Sequence, residues 1–277
     1  MTTIKNIIEY RFGNNAELPS NADDYPALQV QLDHRTHRVY TDQSVSEALV
    51  NLLVAATFSA PSKSDLQQTS LIRVKNHEKR KVIAELIPTM PWIGTCPVFF
   101  VFCSDGRRIQ QVCKMRGKEF ANDNLDNFIA GVCDVGIVLQ AFISAAESLG
   151  LGCCPISVIR DHIEEVSDLL ELPDRVIPIA GMCLGYPARE EIISMRLPLT
   201  VSYHTDRYDD SALEPLINEY DQARDAKFSW PQEVQKYTTR FGIADFYGWS
   251  EDKARQMAVE ERREVGNFVR RHGYSLD

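Results

Sequence analysis

Five consecutive residues, His34-Arg35-Thr36-His37-Arg38, bring together two fixed positive charges, two imidazoles and a hydroxyl in a chain whose formal net charge is −9. Guanidinium forks hold phosphate oxygens in pairs and a hydroxyl adds one more donor, so this cluster suits a phosphate group. Taken alone it reads first as a solvated basic turn, because charge runs usually face water. Further chemistry-bearing residues stand in the polar loop Ala60-Pro61-Ser62-Lys63-Ser64-Asp65-Leu66-Gln67-Gln68. Asp65 reads either as a loop cap bonding backbone amides or as a carboxylate able to hold a cationic group or shuttle a proton. Cys153 and Cys154 are adjacent, but neighbouring cysteines bridge only with strain and free cysteines commonly fill cores, so they read as packing residues. Asp134 and Glu147 read as structural ion-pair partners, for Arg160 or for an arginine of a second subunit, rather than as acid catalysts.

The elements that must carry these residues follow from periodicity. The spacing predicts a short helix over Ile4 to Tyr10, then an arm broken by Pro19, Pro26 and the run Asn21-Ala22-Asp23-Asp24. Ser44-Val45-Ser46-Glu47 has capping-box spacing ahead of Leu49, Leu52, Leu53 and Ala56, which predicts a helix that must stop before Pro61. Thr69 to Val74 reads as a strand, Lys79 to Leu86 as a helix, Pro88 to Gly94 as a loop, and Pro97 to Cys103 as a strand buried on both faces. The longest helix carries Phe128, Val132, Val135, Val138, Leu139 and Phe142 around well over half its circumference. That pattern predicts a place deep in the core or in a subunit interface, with Gly150 turning the chain at its end. Cys153 to Val158 and Val176 to Leu184 read as strands on either side of a helix over Asp161 to Leu170. Charge rises after Arg196-Leu197-Pro198, and the last part of the chain reads as mixed helix and loop with little core of its own.

Bulk composition narrows the partners. The acidic balance argues against nucleic acid or an anionic membrane surface, both of which favour a basic face. Met1 to Tyr10 has no apolar run of the signal-peptide kind, and the longest uncharged stretch, Val135 to Ala146, is short of the roughly 18 to 20 residues of a membrane span. Seven cysteines, an odd number set mostly in apolar segments, agree with a cytoplasmic location. No Cys/His ligand spacing occurs, so no metal site is expected. Neither GxGxxG nor GxxxxGK[ST] is present, which speaks against a Rossmann or P-loop nucleotide site.

Six segments occur in a telling order: His34-Arg35-Thr36-His37-Arg38, Ser62-Lys63-Ser64-Asp65-Leu66-Gln67, Asp134 with Gln140, the run from Ala145 to Gly152, Cys183-Leu184-Gly185-Tyr186-Pro187, and Arg196-Leu197-Pro198. Together they resemble the FMN-dependent nitroreductase family, in particular its oxygen-insensitive NADPH group A, from about His34 to the C-terminus. The resemblance implies an α+β fold with a mixed or antiparallel central sheet flanked by helices. It also implies an intertwined homodimer with FMN at the subunit interface. On this reading residues 1–33 are an arm longer than shorter family members carry, 34–210 the FMN-binding core, and 211–277 an extension wrapping the partner subunit.

By position, the resemblance assigns His34, Arg35, Thr36 and Arg38 to the FMN phosphate and ribityl chain, Ser62, Ser64 and Gln67 to the flavin-binding loop, and Arg196 to the phosphate. Ser157, with Val158 after it, falls where a backbone amide faces flavin N5. Arg160, Arg262 and Asp65 fall on the substrate side of the pocket. The departures are as specific. Ser194 replaces the lysine of K-P-R-L-P, Thr89-Met90-Pro91 replaces a Gly-Gly-Gln loop, and Cys154-Pro155-Ile156-Ser157-Val158 replaces V-Y-I-G-G. The implied activity is a ping-pong transfer of two electrons from NADPH or NADH to nitroaromatic, quinone or similar flat acceptors, the cofactor supplying the chemistry so that no catalytic triad is needed. Two alternatives stand beside it: a specialised FMN enzyme acting on one metabolite, or a flavin-binding protein without nicotinamide turnover.

Overall fold

Two runs of residues without a polar face fix the middle of the fold. Val98–Asp105 (β2) is buried at every position, and Val176–Gly185 (β4) at every position but Ile179. Strands covered on both faces belong inside a sheet, and the computed structural model, which describes residues 3–13 and 17–277, places them there. Thr69–Arg73 (β1) and Gly152–Ile156 (β3) take the edges. The order is β1-β2-β4-β3, antiparallel throughout, which makes the α+β fold with its antiparallel sheet the one expected. Beyond β3, Thr36 adds an isolated parallel bridge to Cys153, and the His37 N–H donates to the Cys153 carbonyl at 2.9 Å.

Two compact units divide the chain, residues 34–192 with 262–277 and residues 1–33 with 193–261. The first holds the sheet with Glu47–Thr57 (α3), His77–Leu86 (α4), Trp92–Thr95 (α5), Arg107–Met115 (α6), Leu125–Ser148 (α7), Ile163–Leu169 (α8) and Val265–Arg271 (α13). The second holds Ile4–Phe12 (α1), Pro26–Leu32 (α2), Leu199–Ser202 (α9), Leu213–Phe228 (α10), Thr238–Phe241 (α11) and Trp249–Met257 (α12). Of the arm over 1–33, residues 1–2 and 14–16 lie outside the described residues.

Helix α7 is the main cover of the sheet. Its start is capped by Asn124, whose side chain accepts the Asn127 N–H at 3.1 Å, and its end passes into Gly150 at φ +73°, where glycine carries no Cβ penalty. The face toward the sheet buries Ala130, Val135, Val138, Phe142 and Ala146. Phe142 stands edge-on between Phe100 and Phe102, with ring centroids 5.3 and 5.5 Å away. The core therefore takes only the inner face of the helix: Leu125, Ile129 and Ile137 are exposed in the single chain. Although α7 has the length and apolarity of a membrane span, its inner face packs on β1 to β4 and carries buried Asp134, as the core helix of a globular fold does.

Several expectations need correction. The helix cap before α3 is Ser46, which accepts the Leu49 N–H at 3.2 Å, so Glu47 opens the helix instead of closing a box with Ser44. Pro26 does not break the arm but starts α2 from the first helical position, where its missing N–H costs nothing. Helix α6 was not foreseen because its N-cap is Gly106, which has no side chain, and the Arg108 N–H is met instead by Asp105 one residue earlier, at 3.0 Å; α5 makes a turn at the end of the expected proline loop. β3 stops at Ile156, leaving Ser157 and Val158 in a 3-10 turn that runs to His162.

The sequence also hid what ties down the C-terminus. Arg175, 2% exposed, donates from Nη1 to Asp123 at 2.9 Å and to the Gly273 carbonyl, and its guanidinium lies 4.2 Å from the Tyr274 ring centroid. Removing a fully enclosed aromatic side chain between α7 and the sheet should show where the fold's stability sits. Phe142→Ala should cost about 3–5 kcal/mol in urea unfolding, and a loss under about 1 kcal/mol would show that the sheet does not depend on α7 for cover.

Candidate functional site

The polar loop before β1 is shaped by one side chain. Asp134, 1% exposed on α7, accepts Ser62 Oγ–H at 2.6 Å and the Gln68 N–H at 3.2 Å on Oδ2, and the Lys63 N–H at 3.0 Å on Oδ1. Ser62 Oγ in turn accepts the Gln67 N–H at 2.7 Å. A buried carboxylate needs such donors, and here a folded loop supplies them. Between the anchored residues the backbone turns left-handed at Ser64, Asp65 and Gln67 (φ 51°, 55° and 52°), an uncommon state for residues with a Cβ and one that clusters at ligand sites. From the other side, Arg108 donates to the Gln67 carbonyl and, at 2.8 and 2.9 Å, to Ser70 Oγ and Asp105 Oδ2. A cavity of about 280 Å³ opens here, lined by Phe58, Ser62, Gln68, Thr69, Arg108 and Val138 among others. Sequence reasoning missed Arg108 and Asp105; their three-residue spacing at the start of α6 is the signal that was there to find.

The basic pentapeptide is held at the other end of α7. His34 Nδ1 is hydrogen-bonded to Glu147 Oε1 at 2.6 Å. Arg35 donates to the exposed Glu190 at 2.9 Å, a surface pair of the kind that contributes little. His37 packs against Gly152, where a Cβ would meet its side chain at 2.7 Å, so glycine is what lets the segment approach the strand. Burial pushes the His37 imidazole below its ordinary value; Glu147 and Glu191 pull the other way, and Arg35 and His34 reinforce the burial. Arg38 is exposed, its guanidinium 5.7 Å from the Trp92 ring centroid. Among the described residues it has no hydrogen bond and no ion pair.

The pentapeptide and the serine loop do not converge within one chain. Their anchors, Asp134 and Glu147, are thirteen helical residues apart on α7, about 20 Å at 1.5 Å per residue. The sheet gives the same answer independently. The loop precedes β1 at one edge and Thr36 bridges β3 at the other, four strand spacings and again about 20 Å. The two segments cannot share one phosphate in a single copy.

The remaining residues fall as follows. Asp65 is exposed and accepts the Gln67 side-chain amide at 3.1 Å, a bond between side chains and not the backbone cap expected of it. Arg160 donates to the Ile179 carbonyl, and burial followed by nearby Arg262 lowers its guanidinium below the usual range. Arg262 is paired with Asp161. Asp134 and Glu147 therefore serve the loop and His34, not Arg160. Arg196 belongs to the other unit, where its N–H donates to the Arg11 carbonyl at 2.7 Å. Cys153 and Cys154 enter different core clusters, as successive residues of a strand must, and all seven cysteines are free.

The chain is similar to known proteins along most of its length. Residues 32–186 match the Nitroreductase family, and residues 194–277 match the Nitroreductase family C-terminal domain. The chain is 34% identical to an FMN reductase [NAD(P)H] of Bacillus subtilis over 75% of this chain and 89% of that protein. It is 31% identical to an oxygen-insensitive NADPH nitroreductase of Salmonella typhimurium over 90% and 98% of the two chains. Among solved structures, the NADPH:FMN oxidoreductase of Vibrio harveyi complexed with NAD+ superposes with a TM-score of 0.78 at 28% identity, covering 90% of this chain and 98% of that one.

Two outcomes follow from the anchors. Asp134→Asn places amide donors against the donors of Ser62 and Gln68, which should cost about 1–3 kcal/mol in urea unfolding and speed proteolytic cutting between 62 and 68; unchanged values would mean the loop is held by something else. Because folding lowers the His37 pKa, the unfolded chain takes up the proton more readily, so this group's contribution to stability is present above its ordinary value of about 6.5 and is lost as pH falls below it. His37→Gln should therefore reduce the drop in unfolding free energy between pH 7.5 and 5.5, and an identical drop in both proteins would contradict the assignment.

Proposed function

The chain belongs to the nitroreductase family, and on that premise we propose that it is an FMN-dependent oxidoreductase moving two electrons from NAD(P)H to nitroaromatic, quinone or similar flat acceptors. The observation that carries the reading is the uncommitted Arg38 guanidinium beside Arg35 and the Thr36 hydroxyl. In an acidic protein such a cation is an open binding position for an anion. The residues fit FMN. Arg35, Thr36 and Arg38, with His34, would hold the phosphate and ribityl chain, and the family resemblance assigns Arg196 to the phosphate as well. Ser62, Ser64 and Gln67, with the backbone of Ser157 and Val158 in the 3-10 turn after β3, would hold the ring system.

When bound, FMN supplies the hydride chemistry. The chain's part is to orient it, to keep one face open to flat molecules, and to admit reductant and acceptor in turn, which gives ping-pong kinetics. Asp65, Arg160 and Arg262 are the pocket candidates. Two of them are already committed to Ile179 and Asp161, so Asp65, exposed in the loop, is the group best placed to meet a substrate.

A homodimer completes this site. Because one copy keeps its two cofactor segments about 20 Å apart, the pentapeptide of one copy is proposed to face the serine loop of another. The apolar seam Leu125, Ile129 and Ile137 on α7 supplies surface for the association. The free cysteines support a cytoplasmic location. Arg38→Ala should weaken FMN binding by roughly tenfold, the loss of one charge-assisted contact, read by flavin fluorescence on apoprotein. Steady-state NADPH oxidation with menadione should fall in parallel at limiting FMN. Full flavin retention in Arg38→Ala would overturn the assignment of this segment.

A further inference from the structure

Residues 1–31 lie outside both family matches, yet within their own unit they are built onto the segment that carries Arg196. Helix α1 turns Ile4 and Ile7 inward, at 2% and 1% exposure, which docks the helix by apolar burial. In its last turn Arg11 is only 4% exposed. Its Nε donates to the Leu32 carbonyl at 2.6 Å and its Nη1 to the Ser194 carbonyl at 2.9 Å, while its own carbonyl accepts the Arg196 N–H at 2.7 Å. A buried guanidinium is tolerated only where its donors are met. Here one donor closes the arm on itself and another reaches across to residue 194. The two bonds between Arg11 and the 194–196 segment run in opposite directions, so they fix both the height and the rotation of the peptides on which Arg196 stands.

The Arg196 side chain is in a different state. It is exposed, and among the described residues its hydrogen bonds go to the neighbouring carbonyls of Ser194 and Met195, at 3.5 and 3.2 Å. Its backbone is pinned while its guanidinium stays at the surface, and it lines a cavity of about 480 Å³ together with Phe12 of the arm, Tyr220 and Trp249. Position 194 offers no second cation, since it is a serine. Whatever this segment gives an anion depends on where one arginine is held.

We propose that Arg11 is a positioning residue for Arg196, and that the N-terminal arm exists to hold this segment in register for the cofactor phosphate. The inference rests on the reading of Arg196 as an FMN ligand. Arg11 itself touches no cofactor atom; it acts through the peptides of residues 194–196. The test is a double-mutant cycle on full-length apoprotein titrated with FMN. Arg196→Ala and Arg11→Ala should each weaken binding, by roughly tenfold and severalfold, and the double variant should bind no more weakly than Arg196→Ala alone, because the arm has nothing left to position. If Arg11→Ala fails to fold, Arg11→Lys enters the same cycle: it keeps the charge but lacks the fork that serves Leu32 and Ser194 together. An Arg11 effect that persists in full in the Arg196→Ala background, or no Arg11 effect at all, overturns the positioning role while leaving the site intact. An Arg196→Ala variant with unchanged FMN affinity overturns the reading beneath it.

Discussion

A carboxylate enclosed in the middle of a helix needs partners, and the Asp134 carboxylate imposes that need on the residues around it. Its three donors come from Ser62, Lys63 and Gln68, and meeting them forces the loop into the left-handed turns at Ser64, Asp65 and Gln67. Leaving such a group unmet costs more than any single bond to it returns. The loop's unusual backbone is thus offset by the hydrogen bonds that satisfy the buried acid, and the residues that face outward from it inherit a fixed geometry.

The same helix carries a second carboxylate at its far end, where Glu147 meets His34. One rigid rod therefore sets the distance between two segments that both look built for the same cofactor. Its inner face is committed to Phe100, Phe102 and the rest of the sheet core, which leaves neither end free to slide. Its outer face keeps Leu125, Ile129 and Ile137 at the surface, so the element that separates the segments is also the one with apolar area left to bury. Separation and association are two consequences of a single helix with acids on it and apolar residues all round.

Much of this could be read from the sequence, for physical reasons. β2, β4 and α7 announce themselves because burial leaves an apolar pattern that no other structure would use, and the pentapeptide's chemistry lies in its residue types. The partners do not show. His34 and Glu147 are 113 residues apart, and an acid can be satisfied as well by amides and a hydroxyl as by an arginine, so Asp134 gave no sign that its partner was the serine loop instead of Arg160. Helix α2 was hidden by Pro26, which starts helices as readily as it breaks them. Arg11 was hidden because nothing near it in sequence hints at Ser194, 183 residues away.

If the pentapeptide of one copy meets the serine loop of another, lesions in the two segments must complement. Arg38→Ala and Gln67→Ala variants, each purified as weak FMN binders, would be mixed, dissociated, reassociated and titrated with FMN. A mixed pair holds one site with both lesions and one with neither, so tight FMN binding should reappear in up to half the sites of every mixed pair. A mixture that binds FMN no better than its two components would show that each chain supplies both segments to its own site.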